Sequence, residues 1–326
     1  MPPSRPFFTV ILPTYNRIHA VCVAIESLMT QTYCDFELLV VDDGSTDGTV
    51  AYLQRRYRVK IKAGQIRVIK IPHGGSCAAR NAALSEARGE WIAYLDSDNI
   101  VSPDFLQTFA DGIVNHPGAK NFYAALVGRH SGAILDEPFS LTVLFRWNYI
   151  DMGTYCHHRD LIGEFGGFDR EVTGLEDWDI ILRHSSKYEP IRLGRVVLNY
   201  CDAKDDSRLT YSAQSPEKRR IIRRKFIRAD AGPIDREWVK LVEGSPFFDD
   251  AWYSSTYADL VRDMAAAEHY LTVGWQLGCD PGPFFSTCGY LKRNLDVARA
   301  NVNPLVHYER NGRSEGRLGF LSTRFS

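Results

Sequence analysis

Trp91-Ile92-Ala93-Tyr94-Leu95-Asp96-Ser97-Asp98-Asn99 is an apolar run that stops abruptly at two acids one residue apart. It reads as a buried strand delivering carboxylates to its C-terminal edge. Once the chain turns past Leu95, both acids can reach one hard cation. Carboxylates with an open coordination sphere suit magnesium or manganese, and either metal suits a diphosphate. The same composition also serves a polar turn, where Asp, Ser and Asn bond their own backbone. The surrounding chain has to decide between the two.

Upstream, the pattern occurs three more times. Phe8 to Leu12 is a β-rich run ending at Pro13-Thr14-Tyr15-Asn16-Arg17, and Ala24, Ile25, Leu28 and Met29 follow at helical spacing. Phe36 to Val41 closes on Asp42-Asp43-Gly44-Ser45-Thr46-Asp47-Gly48, after which Val50 and Leu53 open another helix. Ile66 to Ile71 is a third strand. Next comes His73-Gly74-Gly75-Ser76, where Ser76 is placed to cap a helix carrying Ala79, Ala83, Leu84 and Ala87, with Gly89 as its stop. Strands that are apolar throughout and alternate with amphipathic helices imply a parallel sheet covered on both faces. Every polar loop named here then gathers on one edge, where such sheets bind ligands.

Composition narrows the classes. The chain has 326 residues, 44% of them hydrophobic, enough to bury a full core and more than one domain. A formal net charge of -1 gives no field to recruit nucleic acid. The seven cysteines are scattered, with no Cys-x-x-Cys pair, which points to a reduced compartment, the cytoplasm, and away from structural zinc. The run from Phe7 to Leu12 is cut by Pro13 and has no cleavage site, so it does not read as a secretory signal. No stretch approaches the roughly 18 to 20 apolar residues of a membrane span. Contact with the inner membrane is expected to be peripheral at most.

Five motifs in order, taken together, carry a resemblance. They are Val10 to Arg17, Val40 to Thr49, Ala79-Arg80-Asn81-Ala82-Ala83, Asp96-Ser97-Asp98, and Gly166-Gly167-Phe168-Asp169 with Glu176-Asp177-Trp178. Over roughly the first two thirds of the chain this resembles glycosyltransferase family 2, of bacterial type and GT-A fold. The resemblance implies an α/β, Rossmann-like, mostly parallel sheet sandwiched by helices. It also implies a nucleotide-diphospho-sugar donor, a UDP-sugar first, and Mn2+ or Mg2+. Pro13, Tyr15 and Asp43 would hold the base: Tyr15 beside Pro13 is a flat wall, and Asp43 accepts a base N–H. Asp42 is the acid expected to bond the loop backbone instead. Arg80, near a helix N-terminus, would meet phosphate or ribose, or else be an ordinary surface cation on an Ala-rich helix. Asp98 matches the metal ligand, with Asp96 on ribose or metal. Asp177, with Glu176 alongside it, would take the acceptor hydroxyl's proton in an inverting transfer. Acids in a helix's first turn also have a purely structural cause in its dipole, and Asp179 is assigned to that.

Elsewhere the residues read as structure. Ser102-Pro103-Asp104 opens a helix with Pro103 in its first turn, and Ala124 to Gly128 is a strand. Trp147 and Tyr149 could stack on a sugar but fit better as packing aromatics. His157, His158 and His184 show no ligand spacing and fit core or surface positions. Past Tyr200, family relatives carry an Arg or His followed by Ser, whereas Asp202 to Ser212 offers Arg208 and Ser212 without a histidine. Lys218 to Arg228 is a basic amphipathic helix, suited to anionic lipid or to a solvated connector packed by its apolar stripe.

The tail contains an internal repeat. Pro246 to Tyr253 aligns with Pro283 to Tyr290, His269-Tyr270 with His307-Tyr308, and Gly274 and Gly278 with Gly312 and Gly316. It resembles the short aromatic-rich repeats appended to bacterial glycosyltransferases. Trp252, Tyr253, Tyr270, Tyr290 and Tyr308 would form a shared aromatic core. The organisation expected is therefore a catalytic domain over 1–212, a basic helical linker over 213–244, and an all-α module over 245–326 with copies at about 246–282 and 283–319. The function expected is sugar transfer to a glycan, lipid-linked or protein acceptor in polysaccharide biosynthesis, with self-association open. The alternative is a catalytically inactive nucleotide-sugar scaffold or sensor. A nucleotidyltransferase is the weaker rival, because its glycine-rich, lysine-bearing N-terminal loop is missing.

Overall fold

Phe36–Asp42 is buried at every position. Only a central strand covered on both faces asks for an apolar side chain at each step. This strand, β2, lies between β1 (Phe8–Thr14) and β3 (Ile66–Lys70). In this computed structural model, which describes residues 5–202, 216–226, 235–261 and 264–319, the sheet order is β3-β2-β1-β4-β8-β6-β9-β5, with β7 (Ile134–Leu135) paired to β6. The remaining strands are β4 (Trp91–Tyr94), β5 (Ile100–Val101), β6 (Asn121–Gly128), β8 (Tyr155–His158) and β9 (Ile191–Tyr200). From β3 to β4 every pairing is parallel; β8 runs antiparallel to both β4 and β6, and β9 returns parallel to β6. The α/β class and the parallel N-terminal half are as the apolar runs imply.

Helices α1 (Ile18–Met29), α2 (Thr49–Arg56), α3 (Arg58–Lys62) and α4 (Gly75–Glu86) connect the parallel strands, and α4 packs across β1 and β2. Later come α5 (Phe105–Asn115), α6 (Leu141–Arg146), α7 (Asp160–Phe165) and α8 (Glu176–Ser185). In-register pairing sets Thr14 beside Asp42 and Ile11 beside Tyr94, so the loops after β1, β2, β3 and β4 leave the sheet on one edge. The core lies beneath them, built from Val10, Leu12, Leu38, Val40, Ala93, Phe105 and Phe122.

Two local expectations change. Ser76 does not cap α4, which follows Gly74 without a side-chain cap of its own. The backbone N–H groups of Gly74 and Gly75 instead donate to the carboxylate of Asp43, at 2.8 and 2.9 Å. A carboxylate from another loop does the capping, which local sequence does not announce. Likewise α5 begins after Asp104, leaving Pro103 ahead of the helix, where its carbonyl accepts from Thr32 N at 2.9 Å.

The chain divides into two compact units, Met1–Leu141 with Asn148–Gln214, and Thr142–Trp147 with Ser215–Ser326. The second takes in residues 142–147, a segment the sequence reading assigns to the 1–212 region. It also takes in the described part of the basic helix, here α9 (Pro216–Arg224). Within this unit Arg146 donates to Gln276 O at 3.0 Å and lies over the Trp275 ring at 4.4 Å. Arg223 is buried and donates to Leu277 O at 2.7 Å, Phe145 O at 3.2 Å and Arg146 O. A cation of the basic stretch thus satisfies buried carbonyls, the work of a packed connector. The proposed boundary at 212, Arg208 and Ser212, and Ile227 and Arg228 at the stretch's end all lie outside the described residues.

Among its described residues the second unit is helical, and two tyrosine contacts recur in its two copies. Tyr253 OH pairs with His269 Nδ1 at 2.9 Å, and Tyr290 OH with His307 Nδ1 at 2.9 Å. Tyr253 meets Tyr270 edge-on at 5.9 Å, and Tyr290 meets Tyr308 at 6.0 Å. Each copy contains a π-helical turn, Tyr270–Gly274 and Tyr308–Gly312, whose glycine lies against the tyrosine hydroxyl where a Cβ would collide. Phe247 of the first copy packs on Phe285 and Tyr308 of the second, at 5.8 and 5.4 Å. No helix among the described residues is long and apolar enough to cross a membrane.

Candidate active site

The four loops at the sheet edge, joined by the start of α8, enclose a cleft of about 550 Å³. Its lining includes all eight residues singled out from sequence: Pro13, Tyr15, Asp43, Arg80, Asp96, Asp98, Glu176 and Asp177. A volume in this range accommodates a small-molecule ligand of nucleotide-sugar size.

At its centre is Arg80. It is buried at 5% exposure, which rules out the surface-cation reading. One guanidinium nitrogen, Nη2, donates to Asp96 Oδ1 at 2.9 Å. The other, Nη1, donates to Asp177 Oδ1 at 2.8 Å and to Glu176 Oε1 at 3.4 Å. The planar fork faces the Phe168 ring at 5.4 Å. A residue expected to reach a phosphate or ribose is thus committed to three carboxylates, and it ties the end of β4 to the first turn of α8. No local spacing reveals that join, because the partners lie 16, 96 and 97 positions away.

Glu176 has a full complement of donors. Besides Arg80, it accepts from the hydroxyl of Ser76 and the backbone N–H of Gly174. Asp177 keeps a partly open carboxylate, with its side chain 30% exposed. Burial raises the Asp177 carboxyl; Arg80 pulls it back down, while Glu176, Asp96 and Asp151 push it up, to about 8. Asp151 is an acid that sequence reasoning missed, since it stands in no motif. It accepts from Gly153 N at 2.8 Å, and burial, followed by the charge of Asp96, pushes it up to about 7. Asp179, buried, bonds Arg183 Nε at 2.9 Å, and Arg183 holds Gly167 O at 2.7 Å, the structural role expected of that acid.

Asp98 pairs with Arg17 at 2.8 Å, a residue inside the first motif to which the sequence reading gave no role. Asp96 and Asp98 are hard oxygen donors that already draw cationic groups, which fits them to a divalent ion. Among the described residues no group of three or more His, Cys, Asp or Glu is arranged to hold a metal. Two carboxylates with phosphate oxygens completing the shell are a common way to hold Mg2+ and similar ions.

On the opposite wall, Tyr15 is 42% exposed, with the His73 imidazole stacked on it at 4.3 Å and 22°. Asp43 accepts from the two amides that start α4, its Oδ2 lies 2.8 Å from His73 Nδ1, and its backbone carbonyl takes the Nδ1 hydrogen bond at 3.1 Å. Asp42, expected to serve the loop backbone, accepts from Ser45 N at 3.0 Å. Both acids of the pair therefore brace loops. Gly44, at φ +81°, lies so close to His73 that a side chain there would have no room. His157 and His184 are buried, bonded to Tyr94 and Tyr155 at 2.8 and 3.1 Å, as core histidines. Neither Trp147 nor Tyr149 lines the cleft.

Residues 9–173 match the family described as Glycosyl transferase family 2. Over 102 residues the chain is 33% identical to a chondroitin synthase of Pasteurella multocida, a stretch that is 31% of this chain and 10% of that protein. The chain spans between 10 and 20% of the length of the first four curated relatives it matches. In fold it is similar to S. aureus TarS 1-349 in complex with UDP-GlcNAc, with TM-score 0.60 and 20% identity over 95% of this chain and 92% of that one. It is also similar to the mannosyltransferase PcManGT from Pyrobaculum calidifontis in complex with GDP-Man and Mn2+, with TM-score 0.55 and 20% identity over 97% and 81% of the two chains.

Proposed function

The chain belongs to glycosyl transferase family 2, and from that premise we propose an inverting transferase that moves a sugar from a nucleotide-diphospho-sugar to an acceptor hydroxyl. A UDP-sugar is the first candidate donor, and a glycan, lipid-linked or protein hydroxyl the acceptor. The observation that carries this reading is the Arg80 bridge, which sets the donor-side acid Asp96 and the candidate base Asp177 on one guanidinium in one cleft.

In this reading Pro13 and Tyr15 form the wall for the base, with Asp43 as its acceptor. Asp98 and Asp96 would hold Mn2+ or Mg2+, which would supply positive charge to offset that on the departing diphosphate. Arg80 positions both neighbouring acids. Glu176, saturated by Ser76, Gly174 and Arg80, positions the guanidinium in turn. Asp177 accepts the proton of the acceptor hydroxyl as its oxygen bonds the anomeric carbon, while the bond from that carbon to the diphosphate oxygen breaks on the opposite face. The configuration inverts. A carboxyl raised to about 8 is, once ionised, a stronger base than an ordinary aspartate, which favours taking an alcohol proton as pH rises towards and above that value.

The helical repeat unit, in this proposal, serves acceptor or partner binding outside the chemistry. The protein would work in the cytoplasm in polysaccharide biosynthesis, with any membrane contact peripheral. The test is a thermal-shift screen of nucleotide sugars with Mn2+. A ligand at about 100 times its dissociation constant stabilises by roughly 2.7 kcal/mol, a shift of several degrees. Sugar transfer with inverted configuration must follow for the donor found. Binding without turnover on any acceptor or water would leave only the fold of a sensor.

A further inference from the structure

His73 holds the two contacts proposed above for a nucleobase. Its ring stacks on Tyr15 at 4.3 Å, with planes 22° apart. Its Nδ1 lies 2.8 Å from Asp43 Oδ2 and 3.1 Å from the Asp43 carbonyl. Both neighbours are acceptors, so Nδ1 carries the hydrogen. A flat heteroaromatic ring stacked on a tyrosine, with one N–H on the Asp43 carbonyl and beside its carboxylate, is also what a pyrimidine or purine would present at this wall. We propose that His73 is an internal surrogate for the donor's base, which fills the base subsite in the ligand-free protein and must swing out for a nucleotide to enter.

The surroundings agree. The ring is tethered through one residue only, because the neighbouring Gly74 and Gly75 stay bonded to Asp43 through their own amides. Asp43 therefore keeps α4 capped while His73 leaves, and the base inherits the acceptor position that His73 gives up. The His73 side chain is 59% exposed, open to solvent on its outward side. The consequence is a donor affinity lowered by the fraction of time the subsite is self-filled. A subsite closed about nine-tenths of the time weakens apparent binding about tenfold.

The inference rests on Tyr15 and Asp43 forming the base wall, and the experiment separates the two ideas. UDP, GDP and inorganic pyrophosphate are titrated calorimetrically, with Mn2+ present, into wild type, His73→Ala and the double variant Tyr15→Ala/His73→Ala. The expected result is that His73→Ala binds whichever nucleotide the wild type accepts about tenfold more tightly, with pyrophosphate unchanged, while the double variant binds that nucleotide more weakly than His73→Ala. Equal or weaker nucleotide binding by His73→Ala overturns the surrogate, since the imidazole would then be a base contact or a bystander. Nucleotide binding by the double variant equal to that of His73→Ala overturns the wall itself. A gain that extends equally to pyrophosphate also overturns it, because the effect would not be at the base.

Discussion

Replacing Arg80 by Met keeps most of the side chain's length while deleting the charge that three acids share. Asp96, Asp177 and Glu176 lie 2.9, 2.8 and 3.4 Å from its guanidinium, which is buried. Removing one partner of a buried ionic cluster costs about 3–5 kcal/mol. At roughly 2–4 °C per kcal/mol for a domain of this size, Tm should fall by roughly 6–20 °C. The loss should also depend on pH, with a definite sign. Asp177 is already held above the ordinary carboxylate range, and loss of Arg80 raises it further. A carboxyl raised on folding keeps its contribution below its unfolded value of ~4 and loses it as pH rises through the folded value. The Tm gap between wild type and Arg80→Met should therefore widen from pH 5 to pH 9. Differential scanning calorimetry across that range reads it directly. A gap that is the same at both ends, or absent, would mean that Arg80 acts by packing on Phe168 and that the charge reasoning fails.

Four further outcomes follow from other contacts. Asp98→Ala should abolish Mn2+-dependent nucleotide binding by calorimetry while leaving Tm within a few degrees; retained metal dependence would move the ligand elsewhere. Asp177→Asn should lower turnover by roughly 10² to 10⁴ with donor affinity little changed. Wild-type transfer should rise with pH as Asp177 ionises, half-maximal near 8, and a flat profile between pH 6 and 9 would remove Asp177 as the base. In the helical unit, Tyr253→Phe and Tyr290→Phe each lose one hydroxyl bond to a histidine at 2.9 Å and should cost about 1 kcal/mol each in urea unfolding. Markedly unequal costs would break the equivalence of the two copies.

The sequence by itself determined the parallel half of the sheet and eight of the residues that line the cleft. Apolar runs such as Phe36 to Val41 demand burial on both faces, and a parallel sheet carries the loops after its strands to one edge. Tyr15, Asp43 and Asp98 were therefore bound to meet, although they are far apart in the chain. Tyrosines and histidines that recur in the tail at matched spacing meet in matched pairs, Tyr253 with His269 and Tyr290 with His307.

What the tertiary structure decided is how each polar atom is used. Arg80 is a buried bridge because α8 brings Glu176 and Asp177 against it. Asp43 caps α4 because the third loop presses its amides on that carboxylate. His73, Arg17 and Asp151 gained roles in the same way. Periodicity records which face of an element is buried, and that is local. Hydrogen bonds and ion pairs between loops depend on ångström distances that exist only once the sheet has set their spacing, so no reading of the chain alone could have assigned them.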